Sequence, residues 1–132
     1  MSEQVPLVHG MSAADEYGQH PIPAHWRKPF ADIVVAFIEG DFTLERGVAG
    51  VDRIPEETAA QIEEYLSDYG ATLVPLPEET WKTSVCAWSG QDWAALVDLW
   101  TVEEGRSDLV IDARVTQDAT GVAIRVHLVY VP

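Results

Sequence analysis

WAALVDLWTVEEGRSDLVIDARVTQDATGVAIRVHLVYV, residues 93–131, decides the fold. Three runs within it, Trp93–Val102, Leu109–Thr116 and Val122–Val131, alternate apolar with polar or small residues. A period of two sends successive side chains to opposite faces, so each run reads as a strand with one core face. The links between them are short, which predicts antiparallel hairpins. Glu103-Glu104-Gly105 fits a three-residue loop with glycine in the left-handed position, and it pairs Val102 with Arg106. That register sets Leu99 against Leu109, Val97 against Ile111, Ala95 against Ala113 and Trp93 against Val115, so turn chemistry and hydrophobic pattern agree. A four-residue loop, Asp118 to Gly121, then pairs Val115 with Ile124 and Ala113 with Val126.

Upstream, Trp81–Trp88 reads as a further strand. Its hairpin through Ser89-Gly90-Gln91-Asp92 admits two registers. A two-residue Gly90-Gln91 turn sends Cys86 and Trp88 inward, whereas a three-residue loop sends Val85 and Ala87 inward. The second is preferred because it leaves Lys82 and Ser84 facing out. Residues 71–77, ATLVPLP, form an edge strand or an extended connector, since Pro75 and Pro77 cannot donate to a ladder.

Two helices precede the strands. Phe30, Ile33, Val34, Phe37 and Ile38 form one apolar stripe, with Pro29 in the first turn and Gly40 at the stop. Ala59, Ile62, Tyr65, Leu66 and Tyr69 form another over Pro55–Tyr69, where Glu56 and Glu57 complement the positive end of the macrodipole and Gly70 terminates. Residues 41–54 are a long connection, with a short strand at Phe42–Leu44, that wraps one end of the sheet. Residues 1–24 show no sustained period and read as an irregular N-terminal arm, leaving 25–132 as a single domain. The expected architecture is a two-layer α+β fold: two helices on one face of a four- to five-stranded antiparallel meander.

The same registers collect Asp98, Trp100, Asp108, Val110, Asp112, Arg114, Arg125, His127 and Val129 on the second face of the sheet, with Asp112 opposite His127 and Arg114 opposite Arg125. Alternating charges are what a half-exposed antiparallel strand displays, and Trp and Arg are the residue types enriched in interfaces. The face is therefore read as a binding surface made of Trp100, Asp98, Asp112, Arg114, Arg125 and His127.

Charge is the most lopsided property of the chain: 22 acidic residues against 8 basic, a formal net charge of -14. Such a field repels nucleic-acid phosphates and anionic lipid and speeds encounter with basic proteins. The longest apolar run, Ile33–Ile38, is far short of a membrane span, and MSEQVP is no signal peptide. A single cysteine, Cys86, suits a reducing compartment, so a cytoplasmic location is expected. His9, His20 and His25 lack metal-site spacing, and no P-loop, GxGxxG or GxSxG is present, so no catalytic residue, cofactor or metal is assigned. The reading is a small acidic non-enzymatic binding module that docks or neutralises a basic protein, as bacterial immunity proteins do by analogy of class; homodimerisation through the second sheet face is a further expectation. The alternative is a small-molecule-binding or catalytic domain with a pocket between helices and sheet.

Overall fold

The computed structural model describes residues 18–132. In chain order it comprises strand β1 (Gln19–Pro21), helices α1 (Ala24–Ile38) and α2 (Glu56–Tyr69), a 3-10 helix (Glu78–Lys82), and strands β2 (Val85–Trp88), β3 (Trp93–Thr101), β4 (Gly105–Asp118) and β5 (Gly121–Tyr130). All five strands form one antiparallel sheet in the order β1-β2-β3-β4-β5, so the fold is α+β with a meander.

Residues 1–17 of the expected arm lie outside the described residues. The end of that arm is not irregular: Gln19–Pro21 adds an edge strand to β2, with His20 opposite Cys86. Helix α1 begins at Ala24, five residues before Pro29, because Trp26 lies one turn before Phe30 and extends the same stripe. Trp26, Phe30, Ile33, Val34, Ala36 and Phe37 are buried, whereas Ile38 is 42% exposed. Pro29 therefore sits inside the helix, at the loss of one backbone hydrogen bond. Helix α2 starts after Pro55 and ends at Gly70 in the left-handed conformation (φ 80°), as its sequence requires. Ala59, Ile62 and Leu66 of its stripe are buried, and Tyr65 is exposed.

No strand forms at 42–44. Residues 41–54 run instead to the outer side of β5, where Ile124 N donates to Gly50 O (2.8 Å) and Asp52 N donates to Ile124 O (2.9 Å). Trp81 belongs to the 3-10 helix and not to a strand. The connector at 72–74 covers the far half of β3: Val74 N donates to Trp100 O (3.0 Å) and Val102 N to Thr72 O (2.9 Å). Between connector and β2, Thr80 Oγ1 donates to Asp98 O (2.7 Å), and Asp98 N donates to Ser84 Oγ (2.9 Å).

In the first hairpin Trp88 pairs with Trp93, so Cys86 and Trp88 turn inward and the preferred register is corrected. Ser89 N donates to Asp92 O (2.8 Å) around a tight Gly90-Gln91 turn, and the Trp88 and Trp93 rings meet edge to face at 5.4 Å. The β3–β4 pairs Trp93–Val115, Ala95–Ala113 and Val97–Ile111 form as expected. Beyond Asp98 the register shifts, so that Trp100 meets Arg106 and Thr101 meets Gly105, and the expected Leu99–Leu109 and Val102–Arg106 pairs do not form. Three residues of β4 there face one of β3, and Ser107 holds the bulge: its hydroxyl donates to Leu99 O (2.7 Å) and accepts from Leu109 N (3.1 Å).

Val115–Ile124, Arg114–Arg125 and Ala113–Val126 also pair as expected. A bulge at His127 then shifts β5 by one residue, opposing Asp112 to Leu128 and Ile111 to Val129. A one-residue shift exchanges the faces. Val129 is fully buried in the core, while Leu128 and Tyr130 join the second face.

One core cluster contains the buried side chains of both helices together with Trp93, Ala95, Val97, Leu99, Leu109, Ile111, Ala113, Val115, Ile124, Val126 and Val129. Burying each large member contributes about 1.5–3 kcal/mol. Trp26, Phe30, Ile33 and Ile62 fill the space from the helical side and are sealed from solvent.

Candidate functional site

The second face of the sheet has Asp112 at its centre, only 7% exposed. Its carboxylate accepts hydrogen bonds from Arg114 Nη1 (2.5 Å) and Tyr130 Oη (2.9 Å). Arg114 and Asp112 are two apart on one strand, hence on one face, and Tyr130 comes to them because of the His127 bulge. A buried carboxylate with two donors is a structural clasp, since its charge is shared with a guanidinium and a phenol. The hydrogen bond to that carboxylate raises the Tyr130 pKa, with burial adding to the shift. Arg114 also lies 4.0 Å from Asp92.

His127 is not brought to Asp112. It stands exposed on the bulge, so the expected Asp112–His127 pair is absent and no general-base dyad exists there. Asp98 accepts from Thr83 Oγ1 (2.5 Å). Trp100 is half-buried against Gly105, where an added Cβ would meet its ring at 3.8 Å. Arg125 is exposed beside Arg114. Among the described residues Asp112 is ion-paired with Arg114, the Asp98 carboxylate is met only by a hydroxyl, and Arg106, Arg125 and His127 make no ion pair. Arg106 and Arg125 are thus the unpaired cations of this face.

The negative charge lies elsewhere. Helix α2 has no Lys or Arg and presents Glu56, Glu57, Glu63, Glu64 and Asp68 to solvent. The β3–β4 turn extends that surface, because Tyr69 Oη donates to Glu104 (2.5 Å) and Thr72 donates to Glu103 through N (2.9 Å) and Oγ1 (2.7 Å). The Thr72 hydroxyl, then its N–H, hold the Glu103 carboxyl below the usual carboxylate range. The bond to Glu104 raises the Tyr69 pKa, burial adds to the shift, and a hydrogen bond with the Asp108 backbone opposes it. None of these carboxylates has a salt-bridge partner among the described residues. The signal was present in the sequence: residues 54–81 contain no Lys or Arg.

Cys86 is free and buried, and burial pushes its thiol up to about 12, so it is an inert core residue and not a nucleophile. Among the described residues no group of His, Cys, Asp and Glu could hold a metal ion, and no helix is long and apolar enough to cross a membrane.

Fold and surface thus define a small α+β domain with one charge-clasped sheet face and one acidic helical side. Residues 34–132 match the family described as "Domain of unknown function (DUF7668)", and the chain belongs to that family. The matched span opens within α1, so β1 and the Trp26 turn lie before it. No curated protein and no solved structure matches the chain.

Proposed function

We propose that the protein is a small acidic, non-enzymatic binding module that docks a basic protein partner. The observation that carries this reading is the unpaired carboxylate surface of α2 and the β3–β4 turn. Free carboxylates gathered on one side attract and orient a cationic partner, and they pair with it without first breaking an internal ion pair. The second sheet face suits the same partner less well, because Arg106 and Arg125, which make no ion pair among the described residues, would repel it. Homodimerisation through that face is a separate proposal, which sedimentation tests: a strict monomer at micromolar concentration removes it. The cytoplasm is the setting proposed, on the free Cys86.

The test is affinity capture at low and high salt with three forms of the chain. One is unchanged; one has Glu56, Glu57, Glu63, Glu64 and Asp68 replaced by their amides; one carries Trp100→Ala and Arg125→Ala. Retention of basic proteins that is lost in high salt and in the amide form, but kept in the sheet-face form, supports the reading. Retention untouched by the amides, or lost only in the sheet-face form, refutes it.

A further inference from the structure

The acidic side contains a shaped feature as well as charge. Two neighbouring hollows lie between the last turn of α1, residues 41–45 and α2, and both are bordered by Phe42 and Glu63. The first, of about 320 Å³, is bordered chiefly by apolar side chains, including Phe37, Ile38, Leu66 and Leu73. The second, of about 350 Å³, is rimmed by Asp41, Glu45, Glu56 and Glu63. No Lys or Arg lines either. Phe42 stacks on Phe37 at 5.2 Å, an aromatic step between the apolar and the acidic hollow. Ile38, 42% exposed, is one of the few large apolar side chains that the fold leaves in solvent.

A second observation bears on charge. The last turns of both helices line the apolar hollow, through Phe37 and Ile38 of α1 and Leu66 and Ser67 of α2, and neither last turn has a basic residue. At the end of α1, Arg46 supplies a cation, pairing with Glu39 and Asp41 at 3.0 Å each, whereas the negative end of the α2 macrodipole has no basic residue of its own. An apolar floor, a rim on which Glu45, Glu56 and Glu63 have no ion pair among the described residues, and the unbalanced end of α2 together complement a segment that is apolar and cationic at once.

We propose that this groove docks a basic, apolar-anchored segment of a protein partner, its apolar side chain seated on Ile38, Phe42 and Leu66 and its lysines or arginines at Glu63 and Glu56. The inference rests on the protein-binding reading above and locates the contact within it. Two hollows in line suit an extended ligand that spans both, with Phe42 as the divider.

The probe is a synthetic amphipathic peptide of leucine and lysine, titrated onto the chain by fluorescence anisotropy beside a counterpart with every leucine replaced by serine. The leucine peptide is expected to bind about tenfold more tightly than the serine form, equivalent to ~1.4 kcal/mol. Ile38→Ser and Glu63→Lys change exposed side chains, so the fold should persist, with an unchanged melting temperature as the check. Each should weaken the leucine peptide by roughly five- to tenfold, and Glu64→Lys, outside both hollows, by less than Glu63→Lys. Amide shifts in the unaltered chain on peptide addition should concentrate at residues 37–45 and 59–73. Equal binding of the two peptides, no effect of Ile38→Ser and Glu63→Lys, or shifts confined to the sheet overturns the proposal. If capture of basic proteins still depends on the α2 carboxylates in that event, the acidic-surface reading stands without the groove. If it does not, both fall.

Discussion

Replacing Ser107 by alanine tests the bulge that resets the β3–β4 hairpin. The hydroxyl serves two buried backbone groups at once, donating to Leu99 O at 2.7 Å and accepting from Leu109 N at 3.1 Å. Alanine fits the site without strain, so the loss is confined to those two bonds. Each buried group left without its partner costs about 1–3 kcal/mol, and since the two share one small site the expected destabilisation is about 2–4 kcal/mol. With unfolding entropy scaling with chain length, a domain of this size should lose roughly 7–14 °C in melting temperature. Urea unfolding followed by tryptophan fluorescence gives the free energy, and an unchanged m-value would show that the unfolded state is unaffected. A loss below about 0.5 kcal/mol, the usual range for a surface substitution, would refute the claim that Ser107 holds the bulge.

Three further outcomes follow from the contacts described. Pro29→Ala should stabilise the protein by about 1–3 kcal/mol, because it restores a hydrogen bond inside α1; a lower melting temperature would contradict this. Cys86, with its thiol pushed up to about 12, should resist a thiol-specific chromogenic reagent at mildly alkaline pH until denaturant is added, and rapid labelling of the native chain would contradict its burial. Tyr130 keeps its proton longer in the folded than in the unfolded chain, so the stabilisation from its bond to Asp112 is complete below the ordinary phenol pKa and is lost as pH rises through the raised one. Asp112→Asn should move Tyr130 ionisation back toward the ordinary value in ultraviolet titration; an unmoved curve would deny the link.

The pairing of β3 with β4 was legible in the alternation at 93–97 and 111–115, but not in the turn, where Gly105 pairs with Thr101 and the expected register returns only from Asp98 toward Trp93. That breakdown was not legible, since Leu99 and Leu109 are buried whether or not they face each other. The β5 bulge was hidden for a similar reason. Leu128, Val129 and Tyr130 are consecutive apolar residues, and a period of two cannot say which of them face the core. The parity error displaced Val129 from the core and kept Tyr130 from Asp112, which in turn produced the Asp112–His127 pair that the structure lacks. In the first hairpin, Val85, Cys86, Ala87 and Trp88 are apolar on both faces, so the choice rested on Lys82 and Ser84, which lie outside any strand. The three residues of β1 are too few to show a period. Of the candidate sites, the cationic residues of the sheet face were readable, and so was the absence of Lys and Arg over 54–81, whereas the joining of α2 to the β3–β4 turn needed the fold. The groove joins residues 37–45 to α2 and residues 71–73, and only the fold could bring them together.

Strand β1 has a consequence for behaviour in concentrated solution. It is three residues long and ends in a proline, so the margin of the sheet offers few free amides for another chain to template on. The opposite margin is already occupied at Ile124 by Gly50 and Asp52. At these two places the sheet is closed to fibril-like growth, and copies of the protein should meet there through side chains and not by continuing one another's backbone ladders.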